Sequence, residues 1–345
     1  MQLVAKKYCN GCSACYSVCP KNAISMRFDK EGFLYPEINQ NCINCGLCTK
    51  ICPANKKKAG SLFEKEYFAA VNNSDTERLS GSSGGIFCLI AKAVLEKGGV
   101  IFGASFTEDF SVCHKKATDI ESLESLKTSK YVQSQLNDCF KQVLIELEKG
   151  TLVLFTGTPC QVAGLNAFLQ KDYQNLIVQD LICHGAPSPK IWQNYLAKLQ
   201  KKYNSGIEYV NFRDKVNGWK NYRLTIKFKN GKIYSVPHSL DGFMNLFLQN
   251  RILRPSCHNC TFKGDNRRSD ITLGDFWGGY LKKSAKEFND NKGCSLIIVN
   301  SIKGKNLIDN LKNIKIKHVD GKKALKGNPS YFKKALLNPF RKISL

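Results

Sequence analysis

The sequence predicts a small α+β N-terminal module followed by a larger α/β domain with a mixed sheet. Three observations predict it. Cysteines are packed into two evenly spaced runs before residue 54. Short apolar strands alternate with amphipathic helices from residue 67 onward. A Lys-rich polar stretch, ANKKKAGSLFEKE, separates the two regimes. These divide the chain into a module over 1–58, a linker over 59–66 and a main domain over 67–345.

The first run reads Cys9-x-x-Cys12-x-x-Cys15-x-x-x-Cys19-Pro20, and the second repeats it as Cys42-x-x-Cys45-x-x-Cys48-x-x-x-Cys52-Pro53. This is the spacing of bacterial two-cluster iron–sulfur proteins, in which the fourth Cys of each run serves the other cluster. One 4Fe–4S cluster is then expected at Cys9, Cys12, Cys15 and Cys52, and a second at Cys42, Cys45, Cys48 and Cys19. Small residues between the thiols (Gly11, Ser13, Ala14, Gly46) let the chain wrap a cube, and the trailing prolines turn it away with no N–H left to satisfy. The α+β module is therefore ferredoxin-like, with ISMRFDKEGFLYPEIN reading as two short strands about a turn at Asp29–Gly32. Disulfides would need an oxidising compartment, and the opening MQLVAKKYCNGC carries no apolar leader. Zinc usually takes two Cys-x-x-Cys pairs rather than two triplets with a trailing Cys-Pro.

Across the 345 residues, 43% hydrophobic and 23% charged content is that of a soluble globular chain. No apolar run approaches the ~18–20 residues of a membrane span, so a cytoplasmic protein is expected. Sixteen cysteines suit a reducing, oxygen-poor cytosol. The formal charge of +24 raises nucleic acid as a partner. However, the lysines are dispersed and no nucleic-acid-binding signature collects them. Cluster charge also offsets part of the total. Docking of an acidic electron carrier fits the same surface.

In the main domain, residues 67–71 read as a strand, followed by the loop Ser80-Gly81-Ser82-Ser83-Gly84-Gly85. The helical IFCLIAKAVLEK stops at Gly98-Gly99, and VIFGASF is a strand. LNDCFKQVLIELEKG is an amphipathic helix, and the strand TLVLFTG runs into Thr158-Pro159-Cys160 and a helix through Leu169. NLIVQDLIC is a further strand. Ser188-Pro189 caps and opens the helix KIWQNYLAKLQKKY. YRLTIKFKNGKIYSV is a hairpin turning at Asn230-Gly231. DGFMNLFLQN is helical, Asp270–Leu273 and CSLIIVNS are strands, and a last amphipathic helix precedes a basic tail.

Four later cysteines stand where ligands are placed. Cys160 opens a helix, where the dipole favours thiolate. Cys183 ends a strand before His184-Gly185, and Cys257-x-x-Cys260 occupies a loop. They read as a third 4Fe–4S cluster, a zinc site, or ordinary core cysteines. Cys88, Cys113, Cys139 and Cys294 read as core. The Ser80–Gly85 loop before a helix is either a phosphate cradle or a plain surface loop. Residues 128–134 are either a flavin or nucleotide contact or a solvated loop. Asp275 is either a ligand contact at a strand end or a turn residue. The five histidines are scattered, His184 and His258 beside the later cysteines. No Gly-x-Gly-x-x-Gly follows a strand, which disfavours a Rossmann nicotinamide site.

Taken together, SGSSGGIF (80–87), SKYVQS (129–134), FTGTPCQVAGL (155–165), DLICHGAPSP (180–189), CHNCTF (257–262) and SDITLGDFWG (269–278) resemble the beta subunits of coenzyme F420 hydrogenase and dehydrogenase. The resemblance covers nearly everything after residue 66. It implies an FAD-containing iron–sulfur oxidoreductase in which Cys160, Cys183, Cys257 and Cys260 ligate a cluster near the flavin. It also implies flavin contacts from Ser82, Ser83, Gly84, Lys130, Tyr131, Gln133 and Thr158. The expected partners are ferredoxin or another acidic carrier and a small organic redox substrate, deazaflavin F420 or another acceptor. The chain is then either an autonomous reductase, single or homo-oligomeric, or the electron-transfer subunit of a larger complex. The resemblance assigns no catalytic residue.

Overall fold

The computed structural model describes residues 3–55, 63–265 and 267–341. Residues 59–62, half of the expected linker, lie outside them. In the N-terminal module, β1 (Ile24–Phe28) and β2 (Leu34–Ile38) form the expected antiparallel hairpin, with Ile24 opposite Ile38 and Phe28 opposite Leu34. Its turn is held by Asp29, whose Oδ1 accepts from the amides of Glu31 and Phe33, both at 3.0 Å. Two five-residue helices, Ala14–Val18 and Leu47–Ile51, follow the second Cys of each run.

The main domain is built on an eight-stranded mixed sheet. Its strands are β3 (Glu66–Asn72), β4 (Val100–Phe106), β5 (Val112–Ala117), β6 (Val153–Gly157), β7 (Leu176–Leu181), β11 (Ile271–Asp275), β12 (Ser295–Val299) and β13 (Ile314–His318), in the order β13-β3-β12-β11-β7-β6-β4-β5. β4, β6, β7 and β11 pair in parallel. β12 runs against both β11 and β3, so β3 shares the parallel direction. A separate antiparallel sheet holds β8 (Ile207–Asp214), β9 (Arg223–Phe228) and β10 (Ile233–Pro237), with β9 central.

The parallel strands are apolar without alternation because both faces are covered. Phe102, Val153, Phe155, Leu176 and Val178 face the helices Cys139–Glu148 and Pro159–Leu169. Ile101, Leu154 and Ile177 face the helix Ile86–Leu95. The first of these cores continues into the N-terminal module through Cys12, Ala14 and Ile51. The hairpin turn docks too: Ser188 Oγ donates to Glu31 O at 2.5 Å, and a Cβ on Gly32 would lie 2.3 Å from Lys190 Cβ.

Several elements were not expected from the sequence. β5 and β13 are edge strands with lysines among their residues, β8 is interrupted by register shifts, and the helix Asp75–Ser80 has only six residues. In each the periodic signal is short or broken by charge. Cys88, Cys113, Cys139 and Cys294 are buried, as expected of core residues.

Candidate functional site

The two cysteine runs fold alike. Gly11 and Asn44 precede the second Cys of each run at φ 64° and 55°, and Ser13 and Gly46 follow it at φ 59° and 77°. Left-handed residues flanking a loop turn successive N–H groups inward, a nest suited to an anionic group. Cys9, Cys12, Cys15, Cys48 and Cys52 line one hollow of about 470 Å³. Cys19, Cys42, Cys45 and Cys48 line a second, of about 350 Å³. The fourth Cys of each run thus lines the other run's hollow. Among the described residues no three Cys, His, Asp or Glu side chains converge on a point fit for one ion. The thiols around each hollow are a donor set suited to a 4Fe–4S cube. Burial pushes the Cys15 thiol up to about 12 and raises that of Cys12. Loading metal here therefore releases protons.

The hollows differ in exposure. Cys45 in the second is exposed, whereas Cys9 and Cys12 in the first are buried against the main domain. Cys12 abuts Gly164 of the helix Pro159–Leu169, and Cys9 abuts Arg254.

The parallel strands place a third group of thiols behind the first hollow. β6 ends at Gly157 and delivers Cys160 at the head of its helix, where Thr158 and Gln161 form a capping box. β7 ends at Leu181, two residues before Cys183. The short helix Pro255–Asn259 presents Cys257 and then Cys260. Cys160, Cys183, Cys257 and Cys260 are near enough that each of the thiols Cys160, Cys183 and Cys257 is raised by burial and further by others of the set, Cys257 to about 12. Ala186 N donates to Cys257 Sγ at 3.3 Å, and Thr158 Oγ1 lies 3.1 Å from Cys160 Sγ. Lys263 and Arg267 act against the rise at Cys183. Gly164 lies one helical turn past Cys160, so a single turn separates Cys12 from this group.

The expected flavin contacts divide. Ser82, Ser83, Gly84 and Tyr131 converge at the carboxyl ends of β3 and β11. There Arg213 Nη2 donates to Ser82 O (2.9 Å) and Asp275 Oδ1 (3.1 Å), and Nη1 to Tyr131 OH (3.3 Å). Arg213 also lies 4.1 Å from the centroid of the Tyr222 ring, and Trp277 stacks on Trp219 at 4.1 Å. Lys215 Nζ donates to the carbonyls of Arg78, Ser83 and Lys292, clamping the Ser/Gly loop from below. Ser129 N and Oγ both donate to Ser82 Oγ, which joins the two loops. Thr158 stands with the third thiols. Lys130 turns its ammonium onto the carbonyls of Ser125 and Lys127, and burial lowers its pKa to about 7. Gln133 is placed at the first hollow, accepting from Arg254 Nη1 at 3.0 Å.

Arg213, Lys215, Trp219 and Arg254 were not singled out by sequence reasoning. Arg213 and Lys215 close the interrupted strand β8 and its turn, where no motif marks them. Arg254 had one available signal, its position immediately before Pro255 and three residues before Cys257.

Residues 150–322 match the family model for the C terminus of the coenzyme F420 hydrogenase/dehydrogenase beta subunit. Residues 8–56 match the 4Fe-4S dicluster domain. A chain in the xenon-derivatised F420-reducing NiFe hydrogenase complex from Methanosarcina barkeri aligns over 82% of this chain and 98% of its own. Its identity is 16% and its TM-score 0.51, a likeness of fold. No curated protein matches the chain. Among the described residues no helix is long and apolar enough to cross a membrane.

Proposed function

Since this chain belongs to the coenzyme F420 hydrogenase/dehydrogenase beta-subunit family and carries a 4Fe-4S dicluster domain ahead of the family region, we propose that it is an iron–sulfur flavoprotein oxidoreductase serving an organic two-electron substrate. Family and domain give an iron–sulfur protein with an oxidoreductase role; FAD, the number of clusters and the substrate are our reading. When bound, the clusters supply one-electron steps and the flavin two-electron hydride exchange.

In this reading Cys9, Cys12, Cys15 and Cys52 hold one cluster in the buried hollow. Cys42, Cys45, Cys48 and Cys19 hold a second at the surface, where Cys45 is open to an acidic carrier such as ferredoxin. Cys160, Cys183, Cys257 and Cys260 hold a third behind the buried hollow. Ser82, Ser83, Gly84 and Tyr131, fixed by Arg213 and Lys215, form the flavin cradle. Thr158 belongs with the third thiols, and Lys130 binds the carbonyls of Ser125 and Lys127. The observation that carries the reading is the succession of thiol groups from exposed Cys45, through Cys12 against Gly164, to Cys160 one turn away. It leads from solvent to the carboxyl ends of the parallel strands, the edge at which open α/β sheets bind ligands.

The test is an anaerobic count of iron, zinc, acid-labile sulfide and flavin per chain. About twelve irons with one FAD supports three 4Fe–4S clusters. About eight irons with FAD removes the third cluster. Eight irons without flavin, even after reconstitution with FAD, sinks the flavin mechanism. A second reading, an electron-transfer subunit with no substrate of its own, is favoured by the fold shared with a chain of a hydrogenase complex. Co-purification with a catalytic subunit, and no turnover of F420 by the isolated chain, would select it.

A further inference from the structure

Arg254 is one of the largest fully buried side chains, 1% exposed, and it is placed where the N-terminal module meets the main domain. Its guanidinium donates to Cys9 O (2.8 Å), Leu34 O (2.9 Å) and Gln133 Oε1 (3.0 Å), all neutral acceptors. Nη2 also points at Cys9 Sγ, 3.7 Å away. The rings of Tyr35 and Phe33 lie on it at 4.1 and 5.5 Å. Among the described residues no carboxylate pairs with it, unlike the buried Arg213 with Asp275 or Arg267 with Asp180.

A buried cation without a counter-charge is costly by several kcal/mol. Among the described residues its acceptors are two carbonyls, an amide oxygen and the sulfur of Cys9, which carries negative charge when it ligates a cluster. Among the described residues, the charged side chain that lines the second hollow is Lys21, and it is exposed. Net charge and hydrogen bonds at the sulfurs are among the factors that set cluster potentials. A fixed positive charge favours the reduced form, which is more negative by one.

We propose that Arg254 is the buried counter-charge of the centre held at Cys9 and raises its reduction potential above that of the solvent-facing centre. This rests on the two-cluster reading of the module. It makes Arg254 a positioning residue for electrons: the difference favours their transfer inward from the Cys45 surface.

The experiment is a potentiometric titration followed by electron paramagnetic resonance on anaerobic full-length protein, with iron counted in every sample. Arg254→Gln is expected to lower one cluster wave by at least tenfold in its reduction equilibrium, ~59 mV for one electron, with the solvent-facing wave unmoved. Arg254→Lys keeps the charge and should move it by less. Gln133→Glu places a carboxylate where the amide now accepts from Nη1, so it neutralises the guanidinium without deleting it. It should lower the same wave even if Arg254→Gln folds poorly. A Gln133→Glu protein with full iron and unmoved potentials overturns the proposal. Loss of iron from Gln133→Glu overturns it too, because the pair is then structural. Wild-type protein without eight module irons fails the two-cluster reading instead, a separate outcome.

Discussion

Gly164 and Cys12 meet so closely that a Cβ on the glycine would stand 2.8 Å from Cys12 Cβ and 3.0 Å from its Sγ. The contact joins the first cysteine run to the helix whose head carries Cys160, and only a hydrogen at position 164 permits it. Gly164→Ala should therefore push the module off the helix. Overpacking of this kind costs about 1–3 kcal/mol, and the expected outcome is a lower melting temperature with reduced iron per chain. Gly242→Ala is the control. Nothing lies within 4 Å of a Cβ there, and its φ is ordinary, so stability and iron should match the wild type.

The contrast between these two glycines marks how far the sequence reached. The cysteine runs were legible because their spacing is local and fixed, and the fourth thiol of each run lines the other run's hollow. The parallel strands were legible because burial on both faces leaves unbroken apolar runs. Arg254 and Arg213 were not. Arg254 meets its partners Cys9 and Gln133 at separations of 245 and 121 residues, and no local pattern encodes such a meeting. The flavin contacts inferred from resemblance split for the same reason. Ser82 and Tyr131 are joined through Arg213, whereas Gln133, two residues after Tyr131, faces the first hollow, where Arg254 holds it.

Arg213 orders the Ser82 carbonyl, the Tyr131 hydroxyl and the Asp275 carboxylate at once. Arg213→Gln leaves Asp275 with only the Trp219 Nε1 donor at 2.9 Å for its Oδ1. Removing one partner of a buried ion pair costs about 3–5 kcal/mol. The variant should melt earlier and retain at least tenfold less flavin after gel filtration, read from its visible absorbance. Arg213→Lys restores charge but not the fork and should fall between. Flavin content unchanged in both would remove the cradle from this edge of the sheet.

Cys257 and Cys260 should be separable from the core cysteines by iron count alone. The double variant Cys257→Ser/Cys260→Ser is expected to lose about four irons and their labile sulfide, leaving the module's complement. Cys88→Ser, in a helix of the core at 2% exposure, should lose none while costing some stability. Equal iron in all three proteins would return the four later cysteines to structural roles.

His114 supplies a pH signature independent of any cofactor. It is buried, its Nε2 donates to Thr156 O at 3.0 Å and its Nδ1 accepts from Ser134 Oγ at 2.7 Å. The neutral ring satisfies both nitrogens, and burial lowers its pKa to about 4. The unfolded chain protonates near 6.5, so the folded state binds fewer protons between the two values. Stability from this residue is complete above pH ~6.5 and declines as pH falls toward 4, by up to about 3 kcal/mol. Between pH 7 and 5 the melting temperature of the wild type should fall more steeply than that of His114→Gln, whose amide cannot titrate. Parallel slopes in the two proteins would show that His114 has the same pKa in the fold as in the unfolded chain.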